Sequence, residues 1–429
     1  MAEDVREAGR AQKPGSRRAR WTPPDRPEWL EKVNAEGRGM DAKGVIPLDS
    51  ASLIRCAQRN TGLSDFGDPD WREPFEVLVR AMDEEADLTL MGRIMTRSDL
   101  LMFLEGRLQV EALYARHPEI EDEEIRAPIW IIGQGRTGTS ILQKLLALDP
   151  GNRTLNTYDA LFPVDEGNVR RSERIAKAEH RMKMWSRVTP EIAAIHDFGG
   201  EEPIETIMAE ALSLQTPAWL NLMGLTPSFN AKVAQTGQQP SLAYGKRVMK
   251  AIQWQNPGGH WILKSPDALS YLPDVLAVFP DVRFVWTHRD PIRALSSAVN
   301  MIGTLVWARS DTVPPSGLFD FLTDPVSSAA DVTRPIDWLE DGTIPSDQIA
   351  NVLYDDLIAR PLETIEAIYR AFGMPFTDAA RDAIAGYVAA HPSSERKAHR
   401  YDTGEADRIA QERTHYARYQ EYFGVPSEV

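Results

Sequence analysis

The sequence lacks the features of a secreted or membrane-anchored protein. Its 429 residues include a single cysteine, Cys56, so an intrachain disulfide is excluded. No apolar run reaches the length of a membrane span, and residues 1–20 are polar and arginine-rich rather than apolar like a secretory signal. These absences predict a cytoplasmic protein without a transmembrane segment. Cys56 is expected to serve as a small buried hydrophobe.

Basic residues are scarce relative to acidic ones. The chain has 48 Lys and Arg against 63 Asp and Glu, a net charge of −15. A nucleic-acid partner would require a basic face, so none is expected. A site for an anionic ligand must instead concentrate positive charge locally. The sequence shows no Cys and His at metal-ligand spacing, so no metal is expected.

A glycine-rich segment follows the first strongly apolar run after an acidic stretch at residues 121–124. Residues 133–140 read GQGRTGTS, between an apolar run at 128–132 and an apolar-periodic run at 141–148. A strand, a tight turn and a helix in this order direct backbone N–H groups and the positive end of a helix dipole towards an anion. We therefore predict a phosphate-binding loop.

Two common phosphate loops fit this segment incompletely. Gly133, Gly135 and Gly138 match the dinucleotide fingerprint G-x-G-x-x-G, and Asp159 has the spacing of its ribose ligand. Residues 152–158, however, are too polar for the buried parallel strand which that fold requires. A nucleoside-triphosphate loop of the form G-x-x-x-x-G-K-S/T would have lysine where this chain has threonine, so a conventional nucleotide-hydrolysing site is disfavoured.

A third interpretation accounts for every residue of the loop. Residues 136–140 run in the order cation, hydroxyl, glycine, hydroxyl, hydroxyl. This order resembles the 5′-phosphosulfate loop of the sulfotransferases, commonly Lys or Arg followed by Ser-Gly-Thr-Thr. The resemblance implies 3′-phosphoadenosine 5′-phosphosulfate (PAPS) as co-substrate. It also implies that six loop residues bind it: Gly135, Arg136, Thr137, Gly138, Thr139 and Ser140.

A second segment supports the same resemblance. Residues 281–287 read as a buried strand, and Pro291 is suited to the first turn of the helix that follows. Arg289 and Ser297 have the spacing of the sulfotransferase 3′-phosphate motif, in which a serine follows the arginine by eight residues. The resemblance implies that both bind the 3′-phosphate of the nucleotide.

The catalytic groups are less completely specified. Residues 261–266 form another strand that ends in a cation, Lys264, and in the family this lysine bridges to the leaving phosphate. Many relatives carry histidine two residues beyond the following proline, where this chain has Ala268. The general base must therefore lie elsewhere. The candidates are Asp267 and the acidic residues and histidine of the segment 195–205, namely His196, Asp197, Glu201 and Glu202.

Two later segments also resemble the family. Residues 351–357 and the following helix are assigned to packing. Residues 393–401 include Arg396, Lys397 and Arg400, which would close over the 3′-phosphate or form a solvated helix end; the two interpretations are equally supported. The resemblance covers roughly residues 125–425.

The organisation follows from the alternation of strands and helices. We predict an α/β fold: a parallel sheet flanked by helices, as in the P-loop-like three-layer sulfotransferases. Residues 1–37 are expected to be a disordered arm or part of a dimer contact, and 38–124 a helical extension. Residues 125–429 form the α/β domain, with a helical cap at about 165–260 over the acceptor pocket.

The leading functional hypothesis is PAPS-dependent sulfuryl transfer to a hydroxyl of a small molecule, lipid or glycan, in a protein compatible with a homo-oligomer. Two alternatives remain. One is a nucleotide kinase or NTPase with an atypical P-loop. The other is a catalytically inactive relative that binds the nucleotide, which the alanine at 268 suggests.

Overall fold

A computed structural model describes residues 23–165, 171–192, 199–216, 224–312, 324–391 and 406–429, without the side chains of 296–298. His196, Asp197, Arg396, Lys397 and Arg400 lie outside the described residues, and Ser297 is described only as part of a helix.

Helices precede the first strand of the sheet, as expected. Five α-helices are described there: α1 Glu28–Arg38, α2 Ala42–Val45, α3 Ser50–Thr61, α4 Arg72–Glu84 and α5 Leu90–Arg116. Short 3₁₀ turns at Pro69–Trp71 and Pro118–Asp122 complete this region. The expected disordered arm is wrong for residues 28–37, since α1 buries Leu30 completely and Asn34 almost completely. Cys56 on α3 is half-buried rather than fully buried.

A parallel five-stranded sheet forms the centre of the molecule. Its strands are β1 Ile129–Ile132, β2 Asn152–Thr154, β3 His260–Lys264, β4 Arg283–His288 and β5 Ile349–Leu353. They lie in the spatial order β2-β3-β1-β4-β5 and every neighbouring pair is parallel. This arrangement confirms the predicted fold class. The polar segment at 152–158 contributes only the three half-buried residues of edge strand β2.

Alternating side chains of the central strands enter two apolar cores, as expected for a sheet covered on both faces. Trp130 and Ile132 of β1 join the larger core, which also includes the N-terminal helices. Ile129 and Ile131 point to the opposite face, where they meet the helices that follow β1 and β5. Each face of the sheet is thereby buried, which leaves the ends of the strands as the part of the sheet that a ligand could approach.

The remaining helices connect the strands and cover the sheet. Between β1 and β3 lie α6 Thr139–Leu146, α7 Thr157–Leu161, α8 Arg171–Val188, α9 Ile207–Glu210, α10 Pro227–Thr236 and α11 Gln239–Gln255. Then follow α12 Leu272–Val278, α13 Pro291–Trp307, α14 Pro325–Glu340, α15 Tyr354–Ala359, α16 Pro361–Ala371, α17 Asp378–Ala390 and α18 Ala406–Phe423. Within the described residues, no helix is long and apolar enough to cross a membrane.

A buried ion pair between Arg309 and Asp99 connects the N-terminal helices to the α/β domain. Arg309, just beyond α13, is fully buried. Its guanidinium donates to Asp99 Oδ2 at 2.5 Å and to Thr96 Oγ1 at 3.0 Å, both on α5. Its carbonyl accepts a hydrogen bond from Thr89 N at 2.9 Å. The helical region at 38–124 therefore packs as part of one structure with the sheet.

Candidate active site

Four adjacent strands deliver their carboxyl ends to one edge of the sheet. The glycine-rich loop leaves β1, Lys264 ends β3, Arg289 follows β4, and Tyr354 follows β5. Open α/β sheets bind ligands at this edge, outside the carboxyl ends of the strands. The fold thus brings together residues that lie more than 120 positions apart in the sequence.

The loop after β1 requires glycine at two positions. Gly133 and Gly138 have φ angles of 140° and 95°, which only glycine adopts readily. A Cβ on Gly133 would lie 2.5 Å from the Thr287 hydroxyl oxygen. A Cβ on Gly135 would meet no atom within 4 Å, so space above the loop is open on that side. Arg136 also has a positive φ, 73°, an uncommon conformation for a residue with a side chain.

The hydroxyl of Thr137 braces the loop against β4. Thr137 is fully buried, and its Oγ1 lies 2.6 Å from Thr287 Oγ1 and 2.7 Å from the carbonyl oxygen of Gln134. Thr139 is also buried, at the first position of α6, whereas Ser140 is exposed. Of these three hydroxyl residues of the loop, Ser140 is therefore the one that solvent reaches.

Lys264 contacts the loop from the neighbouring strand. It is only 2% exposed. Its Nζ donates to Ser140 Oγ at 3.1 Å and lies 2.9 Å from Glu205 Oε1. An ammonium buried to this extent requires charged or polar partners. The contacts with Ser140 and Glu205 supply them and point the cation at the glycine-rich loop.

Glu205 is the site residue that the sequence reasoning missed. It lies in the acidic segment from which Glu201 and Glu202 were selected, and its proximity to Lys264 depends on the fold. The N–H of Thr206 donates to the carbonyl of Lys264 at 3.0 Å, which joins this segment to the end of β3. The feature of the sequence that could have indicated Glu205 is that it is the third glutamate in this short segment.

The other carboxylate candidates have different partners. Glu201 pairs with Arg171 at 3.0 Å, and Glu202 lies 3.4 Å from Lys144 Nζ. Both are more than two-fifths exposed at their side chains, at 59% and 41%. The structure does not bring either of them to Lys264.

Asp267 follows β3 within a 3₁₀ turn, Pro266–Ser270. Its carboxylate accepts hydrogen bonds from Ser265 Oγ at 2.5 Å and Tyr271 OH at 2.6 Å. Loss of hydration raises the pKa of Asp267, and the negative charge of Glu205 contributes to the same shift, while the two hydrogen bonds oppose it. Ala268 beside it is fully buried.

Arg289 reaches the loop from the opposite side. Its Nη1 donates to the carbonyl oxygen of Arg136 at 3.1 Å, and its guanidinium lies 3.9 Å from the ring centre of Tyr354. Stacking on an aromatic ring fixes the plane of a guanidinium and directs its N–H groups. Arg289 is thus oriented along the loop on its β4 side.

A carboxylate already occupies the outer face of Arg289. Glu428 accepts from Arg289 Nε at 2.7 Å and from Nη2 at 2.8 Å. The segment around Glu428 is held in place by Asp290, whose Oδ2 accepts from Glu428 N at 2.8 Å and from Arg413 Nη2 at 3.0 Å. A bidentate oxyanion contact of this kind is the geometry in which Arg also binds phosphate.

Two buried titratable groups lie close to the site. His288 at the end of β4 contacts Tyr419 OH at 3.0 Å and Asn351 Oδ1 at 2.9 Å, and burial lowers its pKa to about 3. The ring is therefore neutral and supports the sheet edge. Glu210 on α9 is 1% exposed, and burial together with Asp267 raises its pKa to about 8.

The described residues include no group of three or more His, Cys, Asp or Glu arranged to hold a metal ion.

The strand, glycine-rich loop and helix, with an arginine in the loop and a cation from each flanking strand, form a candidate anion-binding site at the carboxyl edge of the sheet. The chain belongs to the sulfotransferase family, whose model matches residues 128–378, more than half of the sequence. Among curated protein sequences, none matches significantly.

Two solved sulfotransferase structures are similar to this chain. The chain is similar to sulfotransferase STF1 from Mycobacterium tuberculosis H37Rv, with 25% identity and a TM-score of 0.68, covering 86% of this chain and 98% of that one. It also shares the fold of sulfotransferase STF9 from Mycobacterium avium, with 22% identity and a TM-score of 0.73, covering 89% and 98% of the two chains. The resemblance of the loop and of the residues after β4 to the sulfotransferase family is thereby confirmed as family membership.

Proposed function

We propose that this protein transfers a sulfuryl group from PAPS to a hydroxyl acceptor, a small molecule, lipid or glycan. The observation that carries the proposal is that cations from both strands beside β1 contact the glycine-rich loop. Lys264 reaches Ser140 from one side and Arg289 reaches the Arg136 carbonyl from the other. Such a cluster suits a polyanionic ligand on a protein of net charge −15.

The proposed roles follow the positions of these groups. Residues 135–140, with the Arg136 side chain and the N-terminus of α6, would hold the 5′-phosphosulfate. Arg289 would bind the 3′-phosphate, with Ser297 and Arg396 as further ligands. Because phosphate and carboxylate share the same bidentate geometry on Arg, the present contact of Arg289 with Glu428 supports an oxyanion at this position.

Lys264 would act on the leaving group. In sulfuryl transfer a bond forms between the acceptor oxygen and sulfur, the bond from sulfur to the bridging oxygen breaks, and the electron pair stays on the 5′-phosphate. A preorganised cation at this oxygen stabilises the charge that develops there. The structure favours such a role, since Lys264 is buried and directed at the loop. The sequence candidates for the general base are His196, Asp197, Glu201, Glu202 and Asp267. A reaction in the cytoplasm, without a metal, completes the proposal.

Calorimetric titration tests the proposal. The ligands are 3′-phosphoadenosine 5′-phosphate (PAP), ATP with Mg²⁺, and NAD, each added to the wild type, Arg289→Ala and the control Arg283→Ala. Arg283 begins the strand that Arg289 follows, and its guanidinium stacks over Phe372 at the opposite end. We expect tight binding of PAP alone, lost in Arg289→Ala and kept in Arg283→Ala.

The alternatives give different results in the same experiment. Preference for ATP with Mg²⁺, followed by ATP turnover, would support an atypical kinase or NTPase and overturn the proposal. Tight binding of PAP without transfer of ³⁵S-labelled sulfate to any phenol, alcohol, lipid or glycan in an acceptor screen would identify an inactive relative.

A further inference from the structure

We propose that Glu205 is the general base that takes the proton of the acceptor hydroxyl. The inference rests on the proposed function and assigns a catalytic role in the same site. It answers the question raised by Ala268, which stands where many relatives carry a histidine. The geometry points to Glu205 because its carboxylate lies 2.9 Å from Lys264 Nζ.

The backbone around Glu205 is fixed from both sides. Ile204 N donates to the carbonyl of Leu155 at 2.8 Å, just beyond β2, and Thr206 N donates to the carbonyl of Lys264 at 3.0 Å at the end of β3. Asn156 and Pro203 add a β-bridge. A base must be held within hydrogen-bond reach of the proton it removes, and these contacts provide a rigid support for that purpose.

Glu205 lies beside Lys264, and its side chain is also partly exposed. Its side chain is 24% exposed, whereas that of Lys264 is 2% exposed. Part of the glutamate side chain is therefore accessible to an incoming molecule, whereas the lysine is covered. Glu201 and Glu202 pair with cations other than Lys264, and the Asp267 carboxylate accepts two hydrogen bonds just beyond the end of β3. Among the described carboxylates considered, Glu205 is the one beside Lys264.

The Lys264–Glu205 pair can serve both ends of the reaction. The acceptor oxygen attacks sulfur and releases its proton to the free electron pair of a Glu205 carboxylate oxygen. The electron pair of the broken bond goes to the 5′-phosphate oxygen, next to Lys264. An ammonium has three donors, so contacts with Ser140 and Glu205 leave capacity for that oxygen. The pair would thus offer a proton acceptor to the attacking oxygen and a proton donor to the leaving oxygen.

The test compares Glu205→Gln with the wild type, with Glu205→Asp and with the matched control Glu363→Gln. Glu363 lies exposed on α16 and outside the site. The measurements are PAP affinity by calorimetry and kcat with PAPS and a series of phenols of increasing acidity. We expect Glu205→Gln to lose about 10²- to 10⁴-fold in kcat, the usual contribution of a general base. PAP binding should be unchanged or tighter, because a negative charge beside Lys264 is removed.

Two further readouts separate a base from a residue that only positions Lys264. The loss in Glu205→Gln should shrink for the more acidic phenols, which ionise without help. The acidic limb of the pH dependence of kcat/KM should disappear in Glu205→Gln and persist in Glu205→Asp. An equal loss for all phenols, with the acidic limb retained, would assign Glu205 to positioning and overturn the inference.

Failure of the inference is distinguishable from failure of the proposed function. Wild-type transfer that survives in Glu205→Gln within a few-fold overturns only the role of Glu205, as does a larger loss in Glu202→Gln than in Glu205→Gln. A wild type that binds no PAP overturns both. Should Glu205→Gln fail to fold, Glu205→Asp and the phenol series still decide, since a carboxylate shortened by one methylene must weaken transfer most for the least acidic phenols.

Discussion

Replacing Lys264 by alanine should separate catalysis from nucleotide binding. The lysine is 2% exposed and contacts Ser140 and Glu205. In the proposed mechanism its ammonium meets charge that develops on the leaving phosphate only as the bond to sulfur breaks. An interaction made mainly in the transition state affects turnover and leaves ground-state binding largely intact. Arg289 and the loop would still hold the two phosphates.

The size of the expected loss in kcat follows from the burial of the Lys264 ammonium. Removing one preorganised donor at a developing oxyanion costs about 10²- to 10³-fold in kcat, or roughly 3–4 kcal/mol. Truncation also takes a partner from Glu205, but the glutamate is 24% exposed and water can replace part of the contact. We therefore expect a stability loss of only about 1–3 kcal/mol, and PAP affinity should change by less than about tenfold, or about 1.4 kcal/mol.

The assay is steady-state kinetics of PAPS turnover combined with PAP calorimetry and thermal unfolding. Lys250→Ala is the control, because Lys250 on α11 donates to the carbonyl of Glu121 at 2.7 Å and lies outside the site. Equal and small effects of Lys264→Ala on kcat and on PAP affinity would refute the role at the leaving group. A large loss of PAP affinity with unchanged kcat would make Lys264 a binding residue.

Three further predictions concern Glu428, the ion pair between Asp99 and Arg309, and the buried Glu210. Glu428→Gln should tighten PAP binding up to about fivefold in calorimetry, since an ion pair worth under ~1 kcal/mol no longer competes for Arg289; weaker binding would mean that Glu428 orients the arginine instead. Asp99→Ala should lower stability in chemical unfolding by about 3–5 kcal/mol, because fully buried Arg309 loses its partner; a loss below ~1 kcal/mol would contradict this. Glu210 has a pKa raised to about 8 in the folded state from an ordinary 4.5, so between these values the unfolded chain releases a proton that the folded chain retains. Wild-type stability relative to Glu210→Gln should therefore fall by roughly tenfold in the folding constant per pH unit from pH 5 to 8, measured by urea unfolding, and a constant difference would refute the shift.

The sequence predicted the central sheet well because its inner strands are buried on both faces. The predicted segments at 128–132, 261–266 and 281–287 contain the apolar runs 129–132, 261–263 and 284–286. They match β1, β3 and β4 to within one or two residues at each end. The three polar residues of β2 predict a poor buried strand, but β2 lies at the edge of the sheet. With a neighbour on one side only, it requires less apolar surface.

Contacts between distant segments could not be predicted in the same way. Glu428 and Arg289 are separated by 139 positions, and their pairing depends on where α18 returns to the sheet. Neither apolar periodicity nor a loop motif carries that information. The glycine-rich loop was recognisable because its chemistry is contained in eight consecutive residues. The position of the carboxylate beside Lys264 instead depends on hydrogen bonds from residues 204 and 206 to the ends of two strands.

The absence of a histidine after β3 is explained by what the fold places there. Ala268 is fully buried, and Asp267 beside it accepts hydrogen bonds from Ser265 and Tyr271. Alanine has no group that could take a proton, and the Asp267 carboxylate is already engaged by two hydrogen-bond donors. Thr206, next to Glu205, is hydrogen-bonded to the last residue of the same strand, and the Glu205 carboxylate lies beside Lys264. The alanine therefore need not indicate an inactive protein: the proposed base reaches the same lysine from the loop before α9.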